Sequence, residues 1–441
     1  IFLKMGYIPG NKSIFQEVKK LKSGHYLVYD LKKRSLEEKK YWTLPEYNPD
    51  SKNEDIHSKV LKLEGLLKSS VQQQLFADVP VGILLSGGVD SSLVVSMASE
   101  IGAKLNTFNV SFPNNPSFDE SKYARQISDF FNTNHTEICC EEISEEILDK
   151  YIYHLDEPMA DSSILPMQAL SKEVSSFCKV ALGGDGGDEL FGGYNHYSRL
   201  LWIRNNLNLL PENLKNVISK SASAFLPLGI KGKNWLEAIN FESSGELPNL
   251  QPLFGNKYQN LLFKNKELAS KNFELNNFIS NRIVSNSDLI QSLTRTDFNN
   301  YLQEDILVKV DRASMMHSLE IRSPFLSKEL IEFSFSEIES ELKVSGMEKK
   351  ILLKKLAKKN LPKDFNFNRK QGFSIPMNDW LKKKGQFRKV FEEVLLDESS
   401  IFDKKIVHKL FKNQDKGFNN KERLFSLFTF EKWKRRFNVN I

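Results

Sequence analysis

Val81-Gly82-Ile83-Leu84-Leu85-Ser86-Gly87-Gly88-Val89-Asp90-Ser91-Ser92 starts as an apolar run with the character of a strand, breaks into a Ser/Gly turn and resumes in the helical stretch LVVSMA. A strand feeding a glycine-rich turn and then a helix makes a phosphate cradle. Gly87 and Gly88 let the backbone approach an anion closely, and the amides and hydroxyls of Ser86, Ser91 and Ser92 can donate to its oxygens at a positive helix start. Asp90 is the odd member. A carboxylate beside a polyphosphate repels it unless a cation lies between, so its presence points to Mg²⁺ held jointly by protein and phosphate.

Gly82 and Gly87 are spaced as in a Walker A loop, yet Gly88-Val89 stands where that loop has its Lys-Ser/Thr pair, which excludes it. The string instead resembles the SGGxDS pyrophosphate loop of the N-type ATP pyrophosphatases, which cleave ATP between the α and β phosphates to activate a carboxylate or carbonyl as an adenylate. An ordinary strand-to-helix turn would not need the complete string.

At 441 residues the chain exceeds one ordinary core and is expected to form two or three domains. Its 40% hydrophobic and 27% charged residues are the balance of a soluble globular protein. No apolar run reaches the roughly 18 residues of a membrane span, and the start at Ile1 lacks the basic and apolar regions of a signal peptide. Cys139, Cys140 and Cys178 show neither a metal-ligand spacing nor a disulfide framework, and read as buried thiols in a reducing cytoplasm. The net charge of +6 is modest. Lysines between Lys343 and Lys370 alternate with Ile351, Leu352, Leu353, Leu356 and Ala357, the pattern of a solvated helix face and not of a nucleic-acid patch.

Residues 1–48 read as a helix end, a turn at Pro9-Gly10 and two strands, YLVYD and KKYWTL, around the polar stretch from Leu31 to Lys39. The polar, turn-rich residues 49–56 form a linker. From His57 a helical pattern carries Val60, Leu63, Leu67, Val71 and Leu75 into the strand at 81–85. Strand-like LNTFNVSF (105–112), a helix from Glu120 to Phe131, HTEICC (135–140), helices near 144–154 and 165–176, and CKVAL (178–182) then alternate. The alternation predicts an α/β fold, a doubly wound parallel sheet with ligands at the carboxyl ends of its strands, followed after Tyr194 by a largely helical part. No internal repeat is evident, and the Lys/Asn-rich stretches near 256–277 are too short and apolar to be disordered.

CKVAL runs into Gly183-Gly184-Asp185-Gly186-Gly187-Asp188-Glu189-Leu190-Phe191-Gly192-Gly193-Tyr194, a second strand followed by a glycine-rich acidic loop. Glu189 stands where a dinucleotide fingerprint would need its last glycine, so that reading is weak. Carboxylates at Asp185 and Asp188 directly after a strand suit metal and acid/base work better than tight turning alone.

SGGVDSS, DEPMADSS (156–163), GGDGGDELFGGY, VDRASMMHSLEIRSPFL (310–326) and RKQGFSIP (369–376) occur in that order, and together resemble the synthetase domain of glutamine-dependent asparagine synthetase, class B. GYIPGNKSIFQEVKKLKSGHYLVYD is similar to the closing part of that family's N-terminal glutaminase domain. The resemblance implies that 1–48 is the remnant of an N-terminal-nucleophile glutaminase domain and 57–441 the ATP pyrophosphatase domain. The glutaminase uses an N-terminal cysteine, and none precedes Cys139. The chain therefore reads as a piece of a longer protein, with a chain that has lost glutamine hydrolysis as the alternative; as given it is expected not to hydrolyse glutamine but to be able to use free ammonium.

By resemblance, Ser86, Gly87, Gly88, Asp90, Ser91 and Ser92 would bind the pyrophosphate portion of ATP, Asp90 and Asp188 would reach Mg²⁺, and Leu84, Val110, Gly183 and Gly184 would frame adenosine. Val110 could equally be plain strand core. Asp185 replaces a glutamate that many members carry and could deprotonate the attacking amine or ammonium. Lys350 fits a family lysine that neutralises charge as pyrophosphate leaves, with Lys349 as its rival. Asp311, Arg312, Glu320 and Arg322 are expected to form a buried charge network, and Ser327 to cap a helix. His154, His196 and His317 show no metal-ligand grouping.

The implied activity is amidation of aspartate to asparagine through β-aspartyl-AMP, with nitrogen from glutamine or ammonia, in the cytoplasm. The partners are small molecules, without nucleic acid or membrane, and a homodimer is compatible. An amidotransferase acting on another carboxylate, such as a polysaccharide uronic acid, would carry the same loops. A tRNA-modifying ATP pyrophosphatase is more remote, because such enzymes usually need catalytic cysteines or a concentrated basic surface.

Overall fold

A computed structural model describes the chain except for residues 103, 114, 140–143, 208, 242–246, 248–252, 266–287, 370–374 and 440–441. Cys140 and most of RKQGFSIP therefore lie outside the described residues, as does part of the Lys/Asn-rich 256–277 stretch. The strands are β1 (His25–Asp30), β2 (Ser35–Lys40), β3 (Val81–Leu84), β4 (Asn106–Ser111), β5 (Asn134–Cys139), β6 (Val180–Leu182), β7 (Glu320–Arg322), β8 (Val344–Ser345) and β9 (Glu348–Lys349). The helices that position the site are α1 (Ile56–Leu75), α2 (Val89–Glu100), α3 (Ser121–Phe131), α4 (Ile164–Val174), α5 (Gly187–Phe191), α6 (Leu289–Asp297), α7 (Leu307–Met315), α8 (Lys328–Ser336), α9 (Ile351–Asn360) and α10 (Lys421–Arg436).

Five strands form one sheet in the order β5-β4-β3-β6-β7, and every neighbouring pair is parallel. The chain leaves β3 toward β4 and β5 on one side, then returns to lay β6 and β7 on the other. Between β3 and β6 the connections depart in opposite directions and open a crevice beyond the strand ends, where ligands of such sheets bind.

Both faces are covered, as a parallel sheet requires. Ile83 and Leu182 face a core with Leu63, Leu67 and Val71 of α1, Leu93 of α2 and Leu352 and Leu356 of α9. Phe108, Val110 and Ala181 face another with Ile164 of α4, Val310 of α7 and Leu427 and Phe428 of α10. In α1 the apolar stripe is read directly from the sequence, and Asp55 starts the helix by accepting from the Ser58 amide at 3.2 Å. Each fully buried leucine contributes about 1.5–3 kcal/mol. Phe2, Leu3 and Ile8 also join the second core, and the Ala160 amide donates to Gly6 O at 2.8 Å, so the first residues pack on the α/β body.

The structure corrects four details. The partner of β1 is SLEEKK, paired from Asp30↔Ser35 to His25↔Lys40, and not KKYWTL. The amides of Tyr41 and Trp42 both turn to Gly24 O and end the ladder, while the Trp42 indole bonds Glu332 Oε1 at 3.1 Å. Both faces of this hairpin are largely exposed, so a polar segment can serve as strand without an apolar signature. Among the described residues of 343–370, Lys343 ends a short helix, the β8/β9 hairpin follows, and the longer helix runs Ile351–Asn360. Cys139 is exposed at the end of the edge strand β5, whereas Cys178 is buried.

Arg312 pairs with Asp311 at 2.7 Å and Asp156 at 2.5 Å, and Arg322 separately with Glu320 at 2.6 Å. These are two partly exposed clusters, not one buried network, because Glu320 and Arg322 lie on the edge strand β7. Ser327 does cap α8, accepting from the Leu330 amide at 3.4 Å.

Candidate active site between the ends of β3 and β6

The ladder continues one residue beyond β3, with the Leu85 amide donating to Phe108 O at 2.7 Å, and then the chain turns. Gly87 makes the turn at φ 70°, and a Cβ there would lie 2.5 Å from the Tyr123 carbonyl carbon. No side chain fits. Across the turn the Ser86 and Ser91 hydroxyls are 3.1 Å apart, and the Gly88 amide donates to Ser86 Oγ at 3.3 Å. The loop is thus closed by its own hydroxyls at the start of α2.

The loop after β6 is pressed against the first one. A Cβ on Gly184 would sit 3.1 Å from the Ser91 amide nitrogen, and one on Gly187 2.7 Å from Asp90 Cγ. A Cβ on Gly193 would fall 1.8 Å from Asp188 Oδ1 and 2.3 Å from Lys350 Cε. These glycines let two carboxylates and one lysine share a small space. Lys350 Nζ lies 2.6 Å from both Asp90 Oδ1 and Asp188 Oδ1, with its side chain only 9% exposed. Burial works against the ammonium, but Asp188 and Asp90 outweigh it and hold its pKa above the ordinary lysine range.

Leu84, Ser86, Gly88, Asp90, Ser91, Val110, Gly183, Gly184, Asp185, Asp188 and Lys350 all line one cavity of about 430 Å³. Gly87 and Ser92 do not. Gly87 packs behind it on α3, and Ser92 is fully buried, its hydroxyl without a protein partner among the described residues. Lys349, the rival lysine, also reaches the lining and bonds Asn195 Oδ1.

Several lining residues escaped the sequence reading. Asn109 is 3% exposed on β4, and its carbonyl oxygen has no partner among the described residues. Glu120 pairs with Arg369 at 2.8 Å, and the guanidinium lies 4.1 Å over the Tyr123 ring. Burial lifts the Glu120 carboxyl to about 7, with Arg369 opposing. Glu189 accepts from the Tyr194 hydroxyl, and burial, helped by Asp188, lifts it to about 8.

The stretch from α6 to α7 passes through a π-helical segment, Phe298–Ile306, and brings Tyr301, Ile306 and Lys309 to the cavity. Such widened turns recur at functional sites. Lys309 meets Asp161 of the DEPMADSS motif at 2.8 Å. Burial also raises the Asp185 carboxyl above its ordinary value, opposed by Lys309 and reinforced by Asp90 and Asp188.

The donor set fits Mg²⁺, since two carboxylates from different loops already converge on one cation, the Lys350 ammonium. Among the described residues no group of three or more His, Cys, Asp or Glu could by itself enclose a metal. No described helix is long and apolar enough to cross a membrane.

A family profile described as "Asparagine synthase" matches residues 62–435. The chain is 33% identical over 335 residues to asparagine synthetase [glutamine-hydrolyzing] 1 of Bacillus subtilis, covering 74% of this chain and 51% of that protein. It is 33% identical over 329 residues to putative asparagine synthetase [glutamine-hydrolyzing] 2 of Methanocaldococcus jannaschii, covering 72% and 60%. A shorter match, 32% over 206 residues, is to the amidase chyE of Penicillium rubens, with 42% and 30% covered. The chain thus spans little more than half the length of the first two relatives.

Proposed function

The chain belongs to the asparagine synthase family, and from that premise we propose that it amidates the side-chain carboxylate of aspartate to give asparagine at the expense of ATP. Residues 1–48 are then the tail of a glutaminase domain, and nitrogen enters as ammonia, free or released from glutamine by the whole protein. The observation that carries the reading is the meeting of two glycine loops at the sheet's switch point, with Lys350 between Asp90 and Asp188.

Ser86, Gly88 and Ser91 cradle the β and γ phosphates, and Leu84, Val110, Gly183 and Gly184 frame the adenosine. The aspartate oxygen attacks the α phosphorus, the α–β bridge breaks and pyrophosphate leaves. Lys350 stabilises the charge that develops there. Asp90 and Asp188 would hold Mg²⁺, which neutralises the phosphates when bound. Ammonia then attacks the acyl carbon, the bond to AMP breaks, and Asp185 accepts the proton that the nitrogen gives up. The raised carboxyl pKa of Asp185 brings it nearer the working range of a general base.

The test is product analysis with ATP, Mg²⁺, aspartate and ammonium. AMP and pyrophosphate formed in equal amounts with asparagine support the reading. ADP and phosphate as stoichiometric products would refute it.

A further inference from the structure

Behind the second glycine loop two cations are buried together, and neither lines the cavity. Arg295 belongs to α6, and Lys343 is the last residue of the short helix Ser340–Lys343. Both are 0% exposed. They lie against one ring, that of Phe335, with the guanidinium carbon 5.2 Å and the ammonium 4.4 Å from its centroid. Arg295 Nη2 donates to Phe335 O at 3.0 Å. Arg295 Nε and Nη1 and Lys343 Nζ have no hydrogen-bond partner among the described residues.

The groups around the pair do not meet this need. Asp288 acts on Lys343 electrostatically, but its Oδ1 already accepts from the amides of Ile290 and Gln291 and from the Ser340 hydroxyl. Glu46 acts on Arg295 through space, without a hydrogen bond. Gln291 Oε1, one turn before Arg295 on α6, is buried and also without a partner among the described residues. It can take one donor but no charge. The two cations repel each other, and the ring face returns only part of what their burial costs. A lysine can shed its proton, whereas a guanidinium stays charged at any ordinary pH. Three buried donor nitrogens on two cations, with one neutral acceptor beside them, are the chemistry of an anion site.

We propose that Arg295 and Lys343 form a buried binding site for a small monovalent anion of the halide class. The class follows from the setting. A spherical ion accepts from donors in any direction, whereas an oxyanion would bring further oxygens that need donors of their own. A multivalent ion would also exceed what two cations can balance beside Asp288 and Glu46. The site bears on the cavity through the backbone. A Cβ on Gly192 would lie 3.1 Å from Lys343 Cβ, so Lys343 backs the second glycine loop, and it directly precedes the β8/β9 hairpin that leads to Lys350. An anion there would pin the base of that hairpin. The inference goes beyond the adenylation reading and does not depend on it.

The experiment is urea unfolding of the full chain in sodium chloride, sodium bromide and sodium gluconate at matched ionic strength, paired with anomalous diffraction from crystals grown in bromide. An ion that binds only the folded state raises stability with its concentration. The unfolding midpoint is expected to climb with chloride or bromide above its level in gluconate. Bromide is expected in contact with Lys343 Nζ and the Arg295 guanidinium. Lys343→Met removes one cation at similar length and should lose the halide-specific rise. If that variant does not fold, the bromide position in the unaltered chain decides. Equal midpoints in chloride and gluconate, a rise of the same size in Lys343→Met, or bromide found only at surface positions overturns the proposal. Neither readout involves the reaction at the cavity, so failure of adenylation and failure of this site are told apart.

Discussion

Lys350 Nζ lies 2.6 Å from Asp188 Oδ1. The same ammonium is 2.6 Å from Asp90 Oδ1, so one cation ties the loop after β3 to the loop after β6. Lys350 reaches them from the residue before α9, in the left-handed region at φ 54°. That conformation costs a side-chain-bearing residue on the order of 1 kcal/mol or more and persists where surrounding contacts over-determine it. Here both carboxylates do so, and the backbone strain falls at the centre of the proposed chemistry.

Lys350→Met is expected to lower acceptor-dependent pyrophosphate release roughly 10²- to 10³-fold, the usual loss for one preorganised contact to developing charge. Lys349→Ala, one residue away on the hairpin and bonded to Asn195, should have a far smaller effect. Equal, small losses in both variants would remove Lys350 from the reaction.

Gly193→Ala should abolish turnover without unfolding the chain. The added methyl would enter the space of Asp188 Oδ1 and Lys350 Cε, at 1.8 and 2.3 Å. Gly65 is the control, since it lies in α1 with nothing within 4 Å of its Cβ position. Gly65→Ala is expected to stabilise by about 0.5–1 kcal/mol in urea unfolding. Wild-type turnover in Gly193→Ala would show that the carboxylate pair tolerates displacement.

The two loops were legible because each is a local event, an apolar strand broken by glycines, and the α1 stripe because period and burial coincide over twenty residues. The Asp161–Lys309 contact was not, since its members stand 148 residues apart and a lysine in a helix usually faces water. Nor was β7, three residues long and held as a strand only by β6 beside it. Lys350 came from the resemblance alone. Nothing in a lysine-rich run distinguishes the residue whose neighbour Gly193 lacks a side chain.

Glu120 should make the fold less stable as pH rises. Its carboxyl is lifted from an ordinary 4.5 to about 7 by burial, with Arg369 opposing. The folded state therefore holds a proton that the unfolded state releases between those values, and stability falls across pH 4.5–7, then levels off. Glu120→Gln cannot titrate, so its unfolding free energy, measured in urea, should change less from pH 5 to pH 8, by about 1–3 kcal/mol. Parallel pH profiles for the two proteins would show that Arg369 keeps Glu120 ionised throughout.

Lys343 is fully buried, its ammonium 4.4 Å over the Phe335 ring and without a hydrogen-bond partner among the described residues. Burial pushes its pKa well below the ordinary lysine value, Arg295 adds to the depression and Asp288 opposes it. An unpaired charge in an apolar setting costs stability, and the ring face returns only part of that cost. Lys343→Met keeps the length of the stem and removes the charge, so it should stabilise the chain by about 1–3 kcal/mol at pH 7. The sign of the pH dependence is a second check. Above the depressed folded pKa the native lysine is neutral while the unfolded one is still charged, so wild-type stability rises with pH and the advantage of the variant shrinks toward pH 10. Urea unfolding at pH 7 and pH 9.5 measures both effects, and a variant less stable than wild type at pH 7 would mean that the ammonium is a net stabilising group.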